Sequence, residues 1–141
     1  MFKGMNWAGV ILALIAGELL GMLWYGMLFE EQWVRLSGVT IPEGADTTVP
    51  MLIGAVNTLV VVLGLAWLTA RLGDTSWAAG ARTGLIAGVV FACTTAALNF
   101  IYGQQDTGLV PIDFGYLLVL YAVSGALVAG VRFSTAKPAA A

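Results

Sequence analysis

The sequence predicts an all-α integral membrane protein: an antiparallel four-helix bundle with both termini cytoplasmic. Three observations lead there. Of 141 residues, 60% are hydrophobic and only 10% charged, whereas a soluble domain carries about 25% charge. The apolar residues gather into runs at about residues 6–29, 50–70, 82–102 and 112–132, each long enough to cross a bilayer. The basic residues are lopsided. Lys3, Arg71, Arg82, Arg132 and Lys137 fall on the side of the termini, and Arg35 stands alone on the other. That bias puts the termini inside.

The first run, NWAGVILALIAGELLGMLWYGMLF, holds one ionisable residue, Glu18. At 1.5 Å per residue its carboxyl lies about 16–18 Å from either end, near the bilayer centre. An ionised carboxylate there costs at least about 2.5–3.5 kcal/mol, so it should face protein or water, or stay protonated. Trp7 anchors one interface, and Trp24 with Tyr25 the other. Gly17 and Gly21 form a GxxxG pair that lets another helix approach. Lys3 before an apolar run imitates a signal peptide. The run continues past Trp24 and Tyr25 with no small-x-small cleavage site, which favours an uncleaved span.

A polar connection follows, in which Trp33, Val34 and Leu36 suit a short helix lying in the headgroup layer. Gly38, Pro42 and Gly44 then mark turns. The second span starts at Pro50, with Thr47 or Thr48 to cap it and Trp67 at its far interface. Asn57 is its one strongly polar residue. After a short loop from Arg71 to about Arg82, the third span carries Gly80, Gly84 and Gly88 at four-residue spacing. Thr94, Thr95, Asn99 and Tyr102 occupy its second half. Asp113 opens the fourth span, where a carboxylate suits a helix N-terminus, and Gly125 lies in its second half. Residues 1–133 thus form one membrane domain, and the alanine-rich residues 134–141 a disordered tail.

Composition excludes several function classes. A net charge of −2 leaves no basic stripe for nucleic acid. His is absent and Cys93 is the sole Cys, so no disulfide, zinc, haem or iron–sulfur set is available. No Ser/His/Asp or Cys/His triad can form, and the Gly80–Gly84–Gly88 ladder lacks the strand and Lys-Ser/Thr ending of a phosphate loop. No catalytic residue, cofactor or metal is expected. The estimated depths place Glu18, Asn57, Thr94, Thr95, Asn99 and Asp113 in one column from mid-membrane to the outer surface. The column is either a water-filled pocket with Glu18 at its base or hydrogen-bonding glue between helices.

Met5-Asn6-Trp7, Leu20 to Tyr25, Trp33 and Leu36 resemble the N-terminal signature of a bacterial family of small four-span membrane proteins of unknown function. Thr94-Thr95, Asn99, Tyr102-Gly103, Ile112 to Tyr116 and Gly125 resemble its third and fourth spans. The resemblance implies a four-helix membrane domain, in the bacterial cytoplasmic membrane, and no assigned activity. At Glu18 this chain departs from the family pattern, which has an apolar or aromatic residue. Asn99 and Asp113 are then the candidates for a shared role. Two functions remain. The first is non-enzymatic: assembly as a homo-oligomer or an accessory subunit of a membrane complex, through the glycine faces. The alternative is a small transporter or channel for protons, cations or cationic amines that uses Glu18.

Overall fold

The computed structural model describes residues 4–40, 42 and 44–131. Lys3, Glu43, Arg132, Lys137 and the expected tail lie outside these residues. Among the described residues the regular structure is all helix, with no strand, and four helices are long and apolar enough to cross a membrane.

Helix α1 runs Trp7–Leu23 and widens into a π-helical turn, Trp24–Leu28. Asn6 starts it. Its side-chain oxygen accepts the Gly9 N–H at 3.1 Å, the usual service of an asparagine before an apolar run. The same amide donates to the Val128 carbonyl at 3.2 Å and to that of Val131. Asn6 therefore starts one spanning helix and closes another, where unpaired backbone groups are costly.

Helix α2, Glu30–Ser37, is the short amphipathic helix expected there, ended by Gly38 at φ +68°. Helix α3 runs Thr48–Leu72. Its start is fixed by Asp46, whose carboxylate accepts the Thr48 N–H at 2.9 Å, and not by Thr47 or Thr48 as expected. The Thr48 hydroxyl and backbone N–H hold the Asp46 carboxyl below its usual range. Helix α4, Trp77–Ala87, begins at Trp77 rather than near residue 82, because Ser76 caps it by accepting the Ala79 N–H at 3.2 Å. A second π-helical turn, Gly88–Cys93, leads into α5, Thr94–Gly103. Helix α6, Leu109–Gly130, starts a turn before Asp113. Asp106 serves that start by accepting the Gly108 N–H at 2.8 Å, so Asp113 is not at a helix terminus.

Helix α6 is the common partner of α1, α3 and α4. Its contacts with α4 are the closest. A Cβ on Gly80 would overlap the Gly125 carbonyl, one on Gly84 the Tyr121 carbonyl, and one on Gly125 the Gly80 carbonyl. On α1, Gly9, Ala13 and Gly17 form a second bare strip at four-residue spacing, all buried. Gly9 abuts Leu127 and Val128, and Gly17 abuts Leu120 and Thr58. Small residues let spanning helices approach where dispersion, not water release, drives packing. Each seam lies within this one chain.

The packing is uneven along the molecule. The core of Met5, Val10, Ala13, Val62, Leu65, Ala66, Ala87 and Val128 gathers toward the end where Asn6 meets Val131. At the opposite end the first half of α3 and most of α5 are exposed. There the helices spread and leave a cleft.

Candidate functional site

The cleft has a volume of about 610 Å³ and lies between the second half of α1 and the first half of α3. Glu18, Asn57, Tyr25 and Tyr116 supply its polar groups, with Glu30 and Trp33 at the α2 side. Gly17, Gly21 and Gly54 keep the walls low, and Met22, Val34, Pro50 and Met51 make them apolar. Glu18 is half-buried and in electrostatic contact with Tyr116. Among the described residues no cation pairs with it and no hydrogen bond satisfies it; the same hydrogen-bond deficit holds for Asn57. A carboxylate, an amide and a phenol thus border one volume with unused capacity.

Asp113 stands beside this cleft and is fully engaged. The Tyr25 hydroxyl donates to its carboxylate at 2.9 Å, and the nearby Trp33 side chain adds an electrostatic attraction. The Trp24 indole donates to the neighbouring Ile112 carbonyl at 3.0 Å. The rings close over this junction: Tyr25 lies 4.9 Å from Tyr116 and 5.7 Å from Trp33, centroid to centroid, and Trp24 lies 5.1 Å from Phe29. Gly115 admits the Trp24 ring, because a Cβ there would sit 3.1 Å from it. The wider π-helical turn at Trp24–Leu28 is what lets both aromatics reach α6, a common use of such turns at functional sites. On the far side of Trp33 a smaller cavity of about 380 Å³ opens between α2 and the 103–106 loop, with Asp106 and Asp113 in its wall.

The structure therefore joins Glu18 to Asn57 and sets Asp113 next to them, but it does not build the single column. Thr94, Thr95 and Asn99 are exposed on α5, away from the cleft. Thr94 turns its hydroxyl back to the Val90 and Phe91 carbonyls. This is the local back-bonding common for Thr within a helix. The expected interface anchors also divide. Trp7 and Tyr102 are exposed, Tyr102 by 83%, and Trp67 carries the Arg71 guanidinium 5.6 Å from its ring centroid. Trp24 and Tyr25 are spent inside the molecule, on Ile112 and Asp113.

Four polar positions escaped the sequence reading. Asn6 had a visible signal, an N-cap residue before an apolar run. Tyr116 could be placed by depth in the outer part of the fourth span, but its place in the cleft depends on which face of α6 meets α1. The Thr83 hydroxyl donates to Asp74 at 2.6 Å, tying the α3–α4 loop to α4. Ser124 is buried with its hydroxyl unpaired among the described residues. It falls between Leu120 and Val128 on the α6 strip that faces Gly9 and Gly17, where small size is the requirement.

Near the Asn6 end a polar cavity of about 480 Å³ is lined by Asn6, Thr69, Asp74 and Val131. Its wall includes the last described residue at either chain end. No group of three His, Cys, Asp or Glu able to hold a metal occurs among the described residues. No curated protein and no solved structure matches the chain significantly. One family model does, over residues 8–129, which takes in all four long helices and the cleft. The chain belongs to that family, DUF1761, whose description is a protein of unknown function.

Proposed function

We propose that this protein is a non-enzymatic carrier or channel that holds a cation at Glu18, in an antiparallel four-helix bundle of the bacterial cytoplasmic membrane with both termini inside. The observation that supports it is the cleft itself. A carboxylate near the middle of a spanning helix borders an open volume with no cation beside it among the described residues. Intramembrane carboxylates of this kind face an ion or substrate path. The core packed toward the Asn6 end and the larger cleft opening at the other suit a carrier open toward one side. In the proposed orientation the open side is the outer one. Flux of a cation into proteoliposomes tests this. Glu18→Gln should lower it at least tenfold relative to wild type, and equal flux from both would remove Glu18 from the mechanism.

Assembly is a second reading, with an observation of its own. The glycine seams that first suggested it are filled within the chain, by Gly125, Tyr121, Leu120 and Thr58. Thr95, Asn99 and Tyr102, by contrast, form an exposed stripe along α5. An amide at membrane depth gains from a partner on another helix. In this reading native mass spectrometry from detergent yields an oligomer for wild type and monomer for Asn99→Leu. Monomer from both would set assembly through α5 aside.

A further inference from the structure

We infer that the Glu18 cleft takes a lipophilic primary or secondary ammonium, a charged nitrogen on an apolar body, and admits it sideways from the bilayer. The inference rests on the cation reading above and names its substrate class. The polar groups decide the head. The Glu18 carboxylate, the Asn57 carbonyl oxygen and the Tyr116 hydroxyl oxygen are all acceptors with unused capacity on one volume. An ammonium with two or three N–H donors meets them, whereas a quaternary nitrogen meets only the charge. The rings of Tyr25, Trp33 and Tyr116 add faces that attract a cation.

The remaining wall decides the body. Met22, Val34, Pro50 and Met51 are apolar, and methionine side chains adapt to irregular shapes. A hard inorganic cation binds through oxygens alone and leaves this apolar wall unused, whereas a lipophilic ammonium uses both. A volume of about 610 Å³ falls in the range of sites for drug-sized molecules. Among the described residues no Lys or Arg lines the cleft, and Glu30 is its other charged group. A phosphate would therefore meet repulsion and no donor cation, which separates the ligand from a zwitterionic phospholipid. The mouth decides the route. Met22 is 53% and Met51 58% exposed on the flanks of helices long enough to cross a bilayer, so the cleft is unwalled on that side as well as toward the outer end.

The test is carbodiimide modification of the full chain in lipid nanodiscs, followed by peptide mass spectrometry at Glu18. A lipophilic carbodiimide should label Glu18, and Glu18→Gln should remove that adduct. 2-Phenylethylammonium should slow labelling at least tenfold, while 2-phenylethanol, sodium, potassium and tetramethylammonium should not. Asn57→Leu should raise the phenylethylammonium concentration needed for protection about tenfold, measured against its own labelling rate without amine. Met51→Trp should slow the onset of protection by narrowing the mouth. Protection by sodium or potassium as effective as by the amine would overturn the ammonium inference and leave the cation reading standing. Equal protection by 2-phenylethanol would show a merely apolar pocket and overturn it as well. Labelling that no cation slows, or no labelling of Glu18 at all, would overturn both.

Discussion

Gly84→Leu should yield no folded protein, and Gly84→Ala should lose about 2–3 kcal/mol of stability, near the upper end of what overpacking costs. The reason is that the close approach between α4 and α6 is backbone against backbone. A Cβ at Gly84 would overlap the Tyr121 carbonyl, with its carbon at 2.7 Å. A carbonyl group has no rotamer to escape into, so one helix must move away from the other. Gly80 and Gly125 face each other in the same way one turn along, so a shift at one position disturbs the next. Since α6 also carries α1 and α3, the displacement reaches the whole core. Gly64 and Gly54 supply the contrast. Neither has anything within 4 Å of an added Cβ, so alanine at Gly64 should be neutral or slightly stabilising. Denaturant titration in detergent measures both. Equal stability of Gly84→Ala and Gly64→Ala would refute this account of the seam.

Much of this was legible in the sequence, for reasons that also mark the limit. Span length and hydropathy follow from composition alone, so the four long helices and the amphipathic α2 could be read directly. Spacing by four showed that Gly80, Gly84 and Gly88 share a face, but not which helix covers it. The face met α6 of the same chain, which weakens glycine seams as an argument for oligomers. Depth along a span could also be counted, and Glu18 and Asn57 do border one cleft. Azimuth could not. The π-helical turns Trp24–Leu28 and Gly88–Cys93 each interrupt the 3.6-residue period, so every face beyond them is rotated relative to a straight helix. That is why Thr94, Thr95 and Asn99 left the expected column, and why the Tyr25–Asp113 bond could not be read from spacing. Helix starts were misplaced where a polar side chain captured a backbone N–H early. Ser76 did so before Trp77, and Asp106 before Leu109.

Asp113→Ala should free α2 from the spanning helices and cost about 2–3 kcal/mol, the range for losing hydrogen bonds to a charged group. Its carboxylate accepts the Tyr25 hydroxyl and attracts the Trp33 side chain, so it ties the end of α1 and the middle of α2 to α6. Without it the Tyr25 hydroxyl loses its acceptor and Trp33 its polar neighbour, inside an aromatic cluster that offers few others. Hydrogen exchange should then rise at least tenfold over Glu30–Ser37, while the core around Val62 and Ala13 stays protected. Asp113→Asn keeps an acceptor oxygen and should lose roughly half as much. Tyr25→Phe should add little to Asp113→Ala, since the two share one bond, and a double-mutant cycle would report a coupling of about 1 kcal/mol or more. The same variants separate tether from ion path. A tether predicts that Asp113→Asn leaves protection of Glu18 by an ammonium nearly intact. If that protection vanished with α2 still ordered, Asp113 would belong to the path, and Trp33, which borders both the cleft and the smaller cavity, would be its partition.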